Sequence, residues 1–547
     1  MENGSKPSEQ VNLCDSHTGG RPNERTTNET KTEPQSRRSV LRGTAVAGLS
    51  ALGVTGAASG SAAAYHGVVD YENYDNVVNV AAEGADRTGS ESITPILEDL
   101  RADDTALYFP EGRYYMDSQF RFTRYDNFGI VGDNATLVPA NYYDFDGPRY
   151  RLFRLGTYTN PGGKLQIRGF NVDQTAPNTG IRGFEAYVTD ELDVEDIVFR
   201  GEHDSGTWGP ALFNVVDPSG TGRVVDFYAN DGGEWADSTP HAGNTSARGP
   251  VGINATQNEG KLMFRRCQIS GFPGSGLYAT GGSGQIIVHG GVYRNSTSAS
   301  IRIGGTDSII RWPQIFVDES NGRNTSQRGV RFEHGDVRVR SMTVNVSVPR
   351  NNCHPIAVLN SAGETTIENA TVNISGDSTQ HGIVVSPKAG PTTIADTEIN
   401  HEVPGGYPLW IRDSDSNDPV VCKNLTINGR SGTKYGFRDG IRCERDNCTV
   451  VDSEIIQPGA DGADRVGIIN KGDNFTLKNT KIRASLYPVS ETTSESLYAD
   501  IDAESYGSRS AVCLYDTCSD LTIKNSRIID GVADFGATGV TMYGNTT

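Results

Sequence analysis

The chain has 547 residues, with 68 Asp plus Glu against 49 Lys plus Arg, hence a formal net charge of −19. An acidic, Gly-rich chain whose basic residues are mostly Arg argues against non-specific nucleic-acid binding and suits a protein kept soluble at high ionic strength, as in a halophile. An apolar content of 35 % is low for a single globular core of this length, but a narrow column of stacked coils tolerates it because each coil exposes its turns.

Residues 1–35 are polar, rich in Pro, Thr, Asn and Glu, and read as a disordered N-region. Ser36-Arg37-Arg38-Ser39-Val40-Leu41 is a twin-arginine pattern, followed by a small-residue apolar stretch from about Gly43 to Gly60 and by Ala62-Ala63-Ala64 before Tyr65. Residues 36–64 therefore read as a twin-arginine signal, which predicts a secreted or cell-surface protein exported already folded. An uncleaved N-terminal anchor is the alternative, although Gly, Ala and Ser make a poor span. No later segment approaches a span, so none is expected in the mature chain.

Residues 65–127 read as an N-terminal cap with the first strands. Val77 to Asp86 gives a strand and turn, and Ile93, Ile96, Leu97 and Leu100 form the stripe of one amphipathic helix with Ser92 as its cap and Pro95 in its first turn. Strand, turn and strand follow from Ala106 to Tyr115. The helix is expected to cover an open end of the column, where strand edges would otherwise be unpaired. The residues Asn79, Val80, Gly84, Ala85, Asp86, the Ile93–Leu100 stripe, and Tyr108, Phe109, Pro110, Gly112, Tyr114 resemble the N-terminal signature of the pectate-lyase superfamily. Ser90-Glu91-Ser92 stands where that family usually has Asp-Asp-Thr. The resemblance implies a right-handed parallel β-helix and is weak for reaction.

From Thr179 onward an apolar couplet returns about every 24 to 30 residues after a Gly or another small residue, as at Gly180-Ile181, Gly276-Leu277, Gly329-Val330, Gly382-Ile383 and Gly467-Ile468. So short a repeat holds two or three strands, cannot bury its own apolar face, and must stack. Residues 128–547 are thus predicted to be an all-β, single-stranded right-handed parallel β-helix of about 13 to 15 coils. Asn369, Asp396, Asn424, Asp452, Asn479 and Asn525 recur one coil apart before buried Val or Ile positions, a ladder whose side chains can bond backbone groups left unpaired at a bend.

Cys443 and Cys448, then Cys513 and Cys518, repeat one spacing on two coils and are candidates for two loop-closing disulfides, with packing cysteines as the alternative. Sequons such as those at Asn134, Asn254, Asn295, Asn345 and Asn474 are frequent enough to make glycosylation an expectation wherever the ladder leaves the amide free.

If the couplet residue points inward, the next points outward. Those positions read Arg182, Asn254, Tyr278, Arg302, Arg331, Arg412 and Arg442, placing Arg302 and Arg331 side by side with Tyr278 one coil before. Stacked guanidiniums repel unless an anion bridges them, which makes an acidic polysaccharide the expected partner. The competing reading pairs Arg331 with Glu333 and Arg442 with Glu444. Long loops near Arg200–Gly209 and Ala229–Gly249 add His203, Asp204, Trp208, Trp235 and His241, a mixture suited to a sugar or a cation.

Among relatives of the resembled family, elimination uses an Arg base with Ca2+ or Arg on the uronate carboxylate, so Arg302, Arg331 and Glu333 are the catalytic candidates and Ca2+ is a cofactor the resemblance allows. Hydrolysis needs two flanking carboxyl groups. The Asn-Thr-Asp, Asp-Asp and Gly-His-Gly motifs of polygalacturonase-like hydrolases are absent, since Asn178-Thr179-Gly180, Gly209-Pro210 and Val251-Gly252 stand at the corresponding couplets. The alternative to an enzyme is a non-catalytic extracellular polysaccharide-binding or structural β-helix.

Overall fold

A computed structural model describes residues 73–147, 150–240, 248–319, 323, 327–347, 353–429, 439–459 and 464–547. The twin-arginine segment, Cys14 and His241 lie outside the described residues. The chain is an all-β parallel solenoid of about 16 turns, with a single α-helix among the described residues. Right-handed winding is the one that parallel crossover connections select.

Three parallel sheets run the length of the column. The first is built from strands such as Thr105–Phe109, Lys261–Arg265, Ile286–His289 and Ser308–Arg311. The second takes strands such as Gln268–Ser270 and Glu398–Glu402, and the third Arg151–Leu155, Ser275–Ala279, Ala299–Ile303 and Arg328–Phe332. Inward residues stack coil upon coil, as in Phe264, Val288, Ile310, Val339, Ile367, Ile394, Cys422 and Val450, all fully buried.

The Gly of the couplet has a steric origin. A Cβ at Gly329, Gly382 or Gly440 would sit 2.6, 2.3 or 2.6 Å from the carbonyl oxygen of Pro355, Pro408 or Gly467, the equivalent residue of the next coil. Short side chains at this position let coils approach to the strand spacing of about 4.8 Å.

The helix spans Thr94–Leu100, with Ile93 and Leu97 buried. Ser92 is not the N-cap residue, although its Oγ accepts a long bond from the Thr94 N–H at 3.4 Å. Ile93 occupies the N-cap, while Ser92 ends a strand and donates to Asp117 Oδ1 at 2.5 Å. Glu98 accepts from the Arg121 N–H at 3.0 Å and Thr94 donates to the Ser118 carbonyl at 3.2 Å, so the helix covers the leading edge of the third sheet, beside Phe120–Phe122.

The Asn and Asp ladder occupies the corner between first and second sheets. Asn369, Asp396, Asn424, Asp452, Asn479 and Asn525 all have φ between 46° and 54°, a left-handed conformation these side chains tolerate best after Gly. Their side chains bond one another rather than only the backbone: Asn424 Nδ2 donates to Asp396 Oδ1 at 2.6 Å and Asn479 Nδ2 to Asp452 Oδ1 at 2.8 Å. A second ladder, Asn345, Asn373, Asn400 and Asn428, runs through the second sheet at 2.9 to 3.1 Å and was not read from the sequence. Several sequons are consumed in such contacts. Asn254 is buried, and Asn295 and Asn474 donate their amide nitrogens to Asp318 and Asn447.

Cys443, Cys448, Cys513 and Cys518 are buried and stand as free thiols, the packing alternative to the disulfide candidates. Cys443 and Cys448 fill inward positions at the end of one strand and the start of the next, serving as small apolar side chains.

Candidate functional site

Outward residues of the third sheet form one register row: Arg121, Arg154, Glu185, Leu212, Asn254, Tyr278, Arg302, Arg331. The row confirms that Tyr278, Arg302 and Arg331 are successive neighbours. It also corrects the first coil. Phe184 occupies the couplet position in register with Phe153 and Ala211, so the outward residue is Glu185, and Arg182 lies three residues earlier, paired with Arg151. Arg412 is likewise displaced, since Trp410 is the residue in register with Arg442.

A cleft of about 700 Å³ opens over the N-terminal part of this row, lined by Arg154, Glu185, Tyr187, Trp208, Asn254 and Gln257 among others. Glu185 is the centre. It is 2 % exposed and pairs with Arg151, with Arg182 Nη1 at 2.8 Å and with Arg154 Nε at 3.2 Å. Burial pushes the Glu185 carboxyl upward, and the three guanidiniums more than reverse this, holding it below its ordinary range. Burial also brings Arg151 down to about 10. Three cations around one carboxylate leave two positive charges, and Arg151 Nη1 and Arg182 Nη2 are buried without a hydrogen-bond partner among the described residues. Such an excess calls for an anion. Around it, Tyr187 donates to Gln257 Oε1 at 2.7 Å, Asn254 Oδ1 accepts from Thr256 Oγ1 at 2.9 Å, and Trp208 and Tyr158 are 45 % and 52 % exposed.

Four coils further on lies a second cationic cluster. Glu333 bridges Arg302 Nη2 at 2.7 Å and Arg331 Nε at 2.6 Å, the latter an ion pair whose N–H is not aligned for a hydrogen bond. The Arg302 guanidinium lies 4.1 Å from the Tyr278 ring centroid. Burial, then the neighbouring Arg331, brings Arg328 down to about 10, and burial together with Arg302 lowers Arg248, which donates to Ser298 Oγ at 3.0 Å. Internal pairing through Glu333 is therefore real, yet one carboxylate serves two guanidiniums, Arg302 and Arg331.

The loop candidates divide. Trp208 reaches the cleft, and Asn254 lines it. His203 is buried, bonded to Gln174 Oε1 and Thr207 Oγ1 at 3.2 and 2.6 Å, and burial lowers it to about 3, so it is a neutral structural imidazole rather than a ligand group. Asp204 clamps the backbone by accepting from the N–H groups of Asn178 and Gly180 at 2.7 and 3.1 Å. Trp235 stands apart from the cleft lining, with the Arg323 guanidinium 5.5 Å from its ring. No cluster of three or more His, Cys, Asp or Glu suited to a metal ion occurs among the described residues.

Sequence reasoning missed Arg151, Arg154, Glu185 and Tyr187. The Arg-x-x-Arg and Arg-x-x-Glu spacings on adjacent coils carried the signal. No Gly precedes Leu152-Phe153, so the couplet series did not reach that coil.

No family model and no curated protein matches the chain. Among solved structures, it is similar to PfbA, a surface adhesin of Streptococcus pneumoniae, at 11 % identity over 86 % of this chain and 94 % of that one, with a TM-score of 0.33. It is also similar to the tailspike protein of E. coli bacteriophage HK620, solved with a pentasaccharide, at 11 % identity over 85 % and 78 %, TM-score 0.42. The Azotobacter vinelandii mannuronan C-5 epimerase AlgE4 A-module matches at 9 % identity over 86 % and 97 %, TM-score 0.24.

Proposed function

We propose that the protein binds an acidic polysaccharide laid along the third sheet, and that it does so outside the cell after twin-arginine export. The observation that carries this reading is the charge imbalance of one face. Arg151, Arg154, Arg182, Arg302 and Arg331 share two carboxylates, Glu185 and Glu333, with Arg248 beside the second group, in a chain whose net charge is −19. Guanidiniums match carboxylates and sulfates through paired donors, and Trp208, Tyr158 and Tyr278 offer rings for sugar faces. The two clusters lie about 19 Å apart, four strand spacings, so the ligand is a polymer rather than a single sugar.

Titration calorimetry with polygalacturonate, and with neutral dextran as control, tests it. Arg154→Ala and Arg331→Ala are each expected to weaken polygalacturonate at least about tenfold, the scale of one charge-assisted contact. Equal affinity for dextran, or indifference to both substitutions, overturns the reading.

Cleavage by β-elimination is a second reading, favoured by one observation: burial depresses Arg328 and Arg331 below the usual guanidinium range. A rise in ultraviolet absorbance from an unsaturated uronate product, lost in Arg331→Ala, would establish it. Binding without that product leaves the protein a receptor.

A further inference from the structure

We infer that the corner between the first and second sheets carries a second, independent site for an anionic polysaccharide, formed by Arg265, His289, Arg311, Arg340 and Trp312. This surface lies on a different sheet from the cleft and shares no residue with it.

The first-sheet register places Arg265 beside His289 and His289 beside Arg311, and Arg340 follows on the next coil, one residue beyond the paired Ile310 and Val339. Each ends its strand stretch at an outward position, so four basic side chains rise in file over about 14 Å. Glu368 closes the file on the coil after Arg340. Among the described residues, Arg265, Arg311 and Arg340 make no ion pair, whereas the adjacent Arg266 is taken up by Asp226, Nε to Oδ1 at 2.8 Å. Unpaired like charges on neighbouring strands are destabilising, and an acidic protein offers ample carboxylates to relieve them. Here the file has Glu368 at its far end, beside Arg340, and Arg265 and Arg311 are left to one another and to His289.

The corner itself departs from the ladder. Along the ladder the left-handed slot holds Asn or Asp, but after Asp226 it runs Arg266, Gly290, Trp312 and Ser341 before Asn369 resumes the ladder. The slot is the same one, since the backbone N–H of Arg266, Gly290 and Trp312 each donates to the next coil, to His289, Arg311 and Ser341, as Asp396 does to Lys423. Trp312 has φ 59° and is 57 % exposed. A bulky aromatic at positive φ is an outlier, a kind of strain that gathers at functional sites. Its ring lies 5.1 Å from that of His289, whose imidazole pKa is lowered by burial and then by the Arg265, Arg311 and Arg266 charges.

Evenly spaced cations beside an exposed indole fit a flexible chain with a repeating anion and flat sugar faces. Carboxylate and sulfate satisfy the same donors. A single-stranded nucleic acid is the rival polyanion, and the acidic chain as a whole disfavours it.

The test uses full-length protein with polygalacturonate, dextran sulfate and oligothymidylate as probes, followed by calorimetry and tryptophan fluorescence. Wild type is expected to show two classes of site for at least one glycan. The combined variant Arg265→Gln, Arg311→Gln, Arg340→Gln should lose one class, at least about tenfold in affinity, with an unchanged or raised thermal midpoint because repulsion is removed. Trp312→Phe should abolish the fluorescence change belonging to that class. Arg154→Ala should affect the other class alone, so failure of the cleft reading and of this one are told apart. The carboxylated and sulfated probes then identify which anion the strip takes. Wild-type stoichiometry and affinity in the triple variant overturn the inference. Tighter binding of oligothymidylate than of either glycan, lost in the triple variant, overturns the polysaccharide assignment.

Discussion

Two coils of the third sheet place charges at equivalent positions and arrive at opposite electrostatics. Arg328 opens one strand and Arg331 follows three residues later; Asp439 opens another, with Arg442 three residues later. In the first, Arg331 shares one carboxylate, Glu333, with Arg302. In the second, one cation meets two carboxylates, Asp439 at 3.4 Å and Glu444 at 2.6 Å, and Glu444 also accepts from Trp410 Nε1 at 2.9 Å. The scaffold is the same, so the backbone does not decide the charge balance of a coil. The residue at the strand's first position does.

The comparison is broken most forcefully at Glu185. Replacing it with Gln leaves Arg151, Arg154 and Arg182 without a counter-charge in a buried setting, and removing one partner of a buried ion cluster costs about 3–5 kcal/mol. Glu185→Gln is expected to lower the thermal midpoint clearly while keeping or strengthening polygalacturonate binding in protein that remains folded. A stable Glu185→Gln protein would mean that the cluster's positive charge is already met by solvent.

Asp439 gives the second effect, opposite in sign. Burial raises its pKa from 3.8 to about 6 despite Arg442. A carboxyl that holds its proton more tightly when folded stabilises fully below the unfolded pKa, and that contribution is lost as pH rises from about 4 through 6, amounting to roughly 2–3 kcal/mol. Asp439→Asn should therefore raise the midpoint at neutral pH relative to wild type. The wild-type-minus-variant difference, measured from pH 4 to 7, should carry this slope. Glu202, raised to about 7 by burial and by Glu234, Asp204 and Asp231, titrates in both proteins and cancels from the difference.

The fold was largely legible because its causes are local and repeated. Gly329 and Gly382 mark where the next coil's carbonyl presses closest, and Asn424 and Asp452 mark a left-handed corner, so both surface as periodic letters. The face was half legible. Tyr278, Arg302 and Arg331 follow from strand alternation once the couplet is found, but Glu185 required knowing that Phe184, not Ile181, stacks on Phe153, which no local pattern states. His203 shows the converse difficulty. Its letter suggests chemistry, whereas its bonds to Gln174 and Thr207 are set by a loop fold that composition does not encode.

The smallest expected effect is the most discriminating. If the Asp439 and Glu444 carboxylates neutralise Arg442, then Arg442→Gln should change polygalacturonate affinity less than about twofold, within the range of a screened surface charge, although Arg442 lies in the same outward row position as Arg331. Arg331→Ala, measured beside it, should cost about tenfold. A tenfold loss at Arg442→Gln would show that the polymer runs on past the arginine-rich coils and competes with Glu444 for the guanidinium. The His381, Tyr407 and Trp410 rings, 4.7 to 5.5 Å apart, would then form its stacking surface rather than a packed rib of the column.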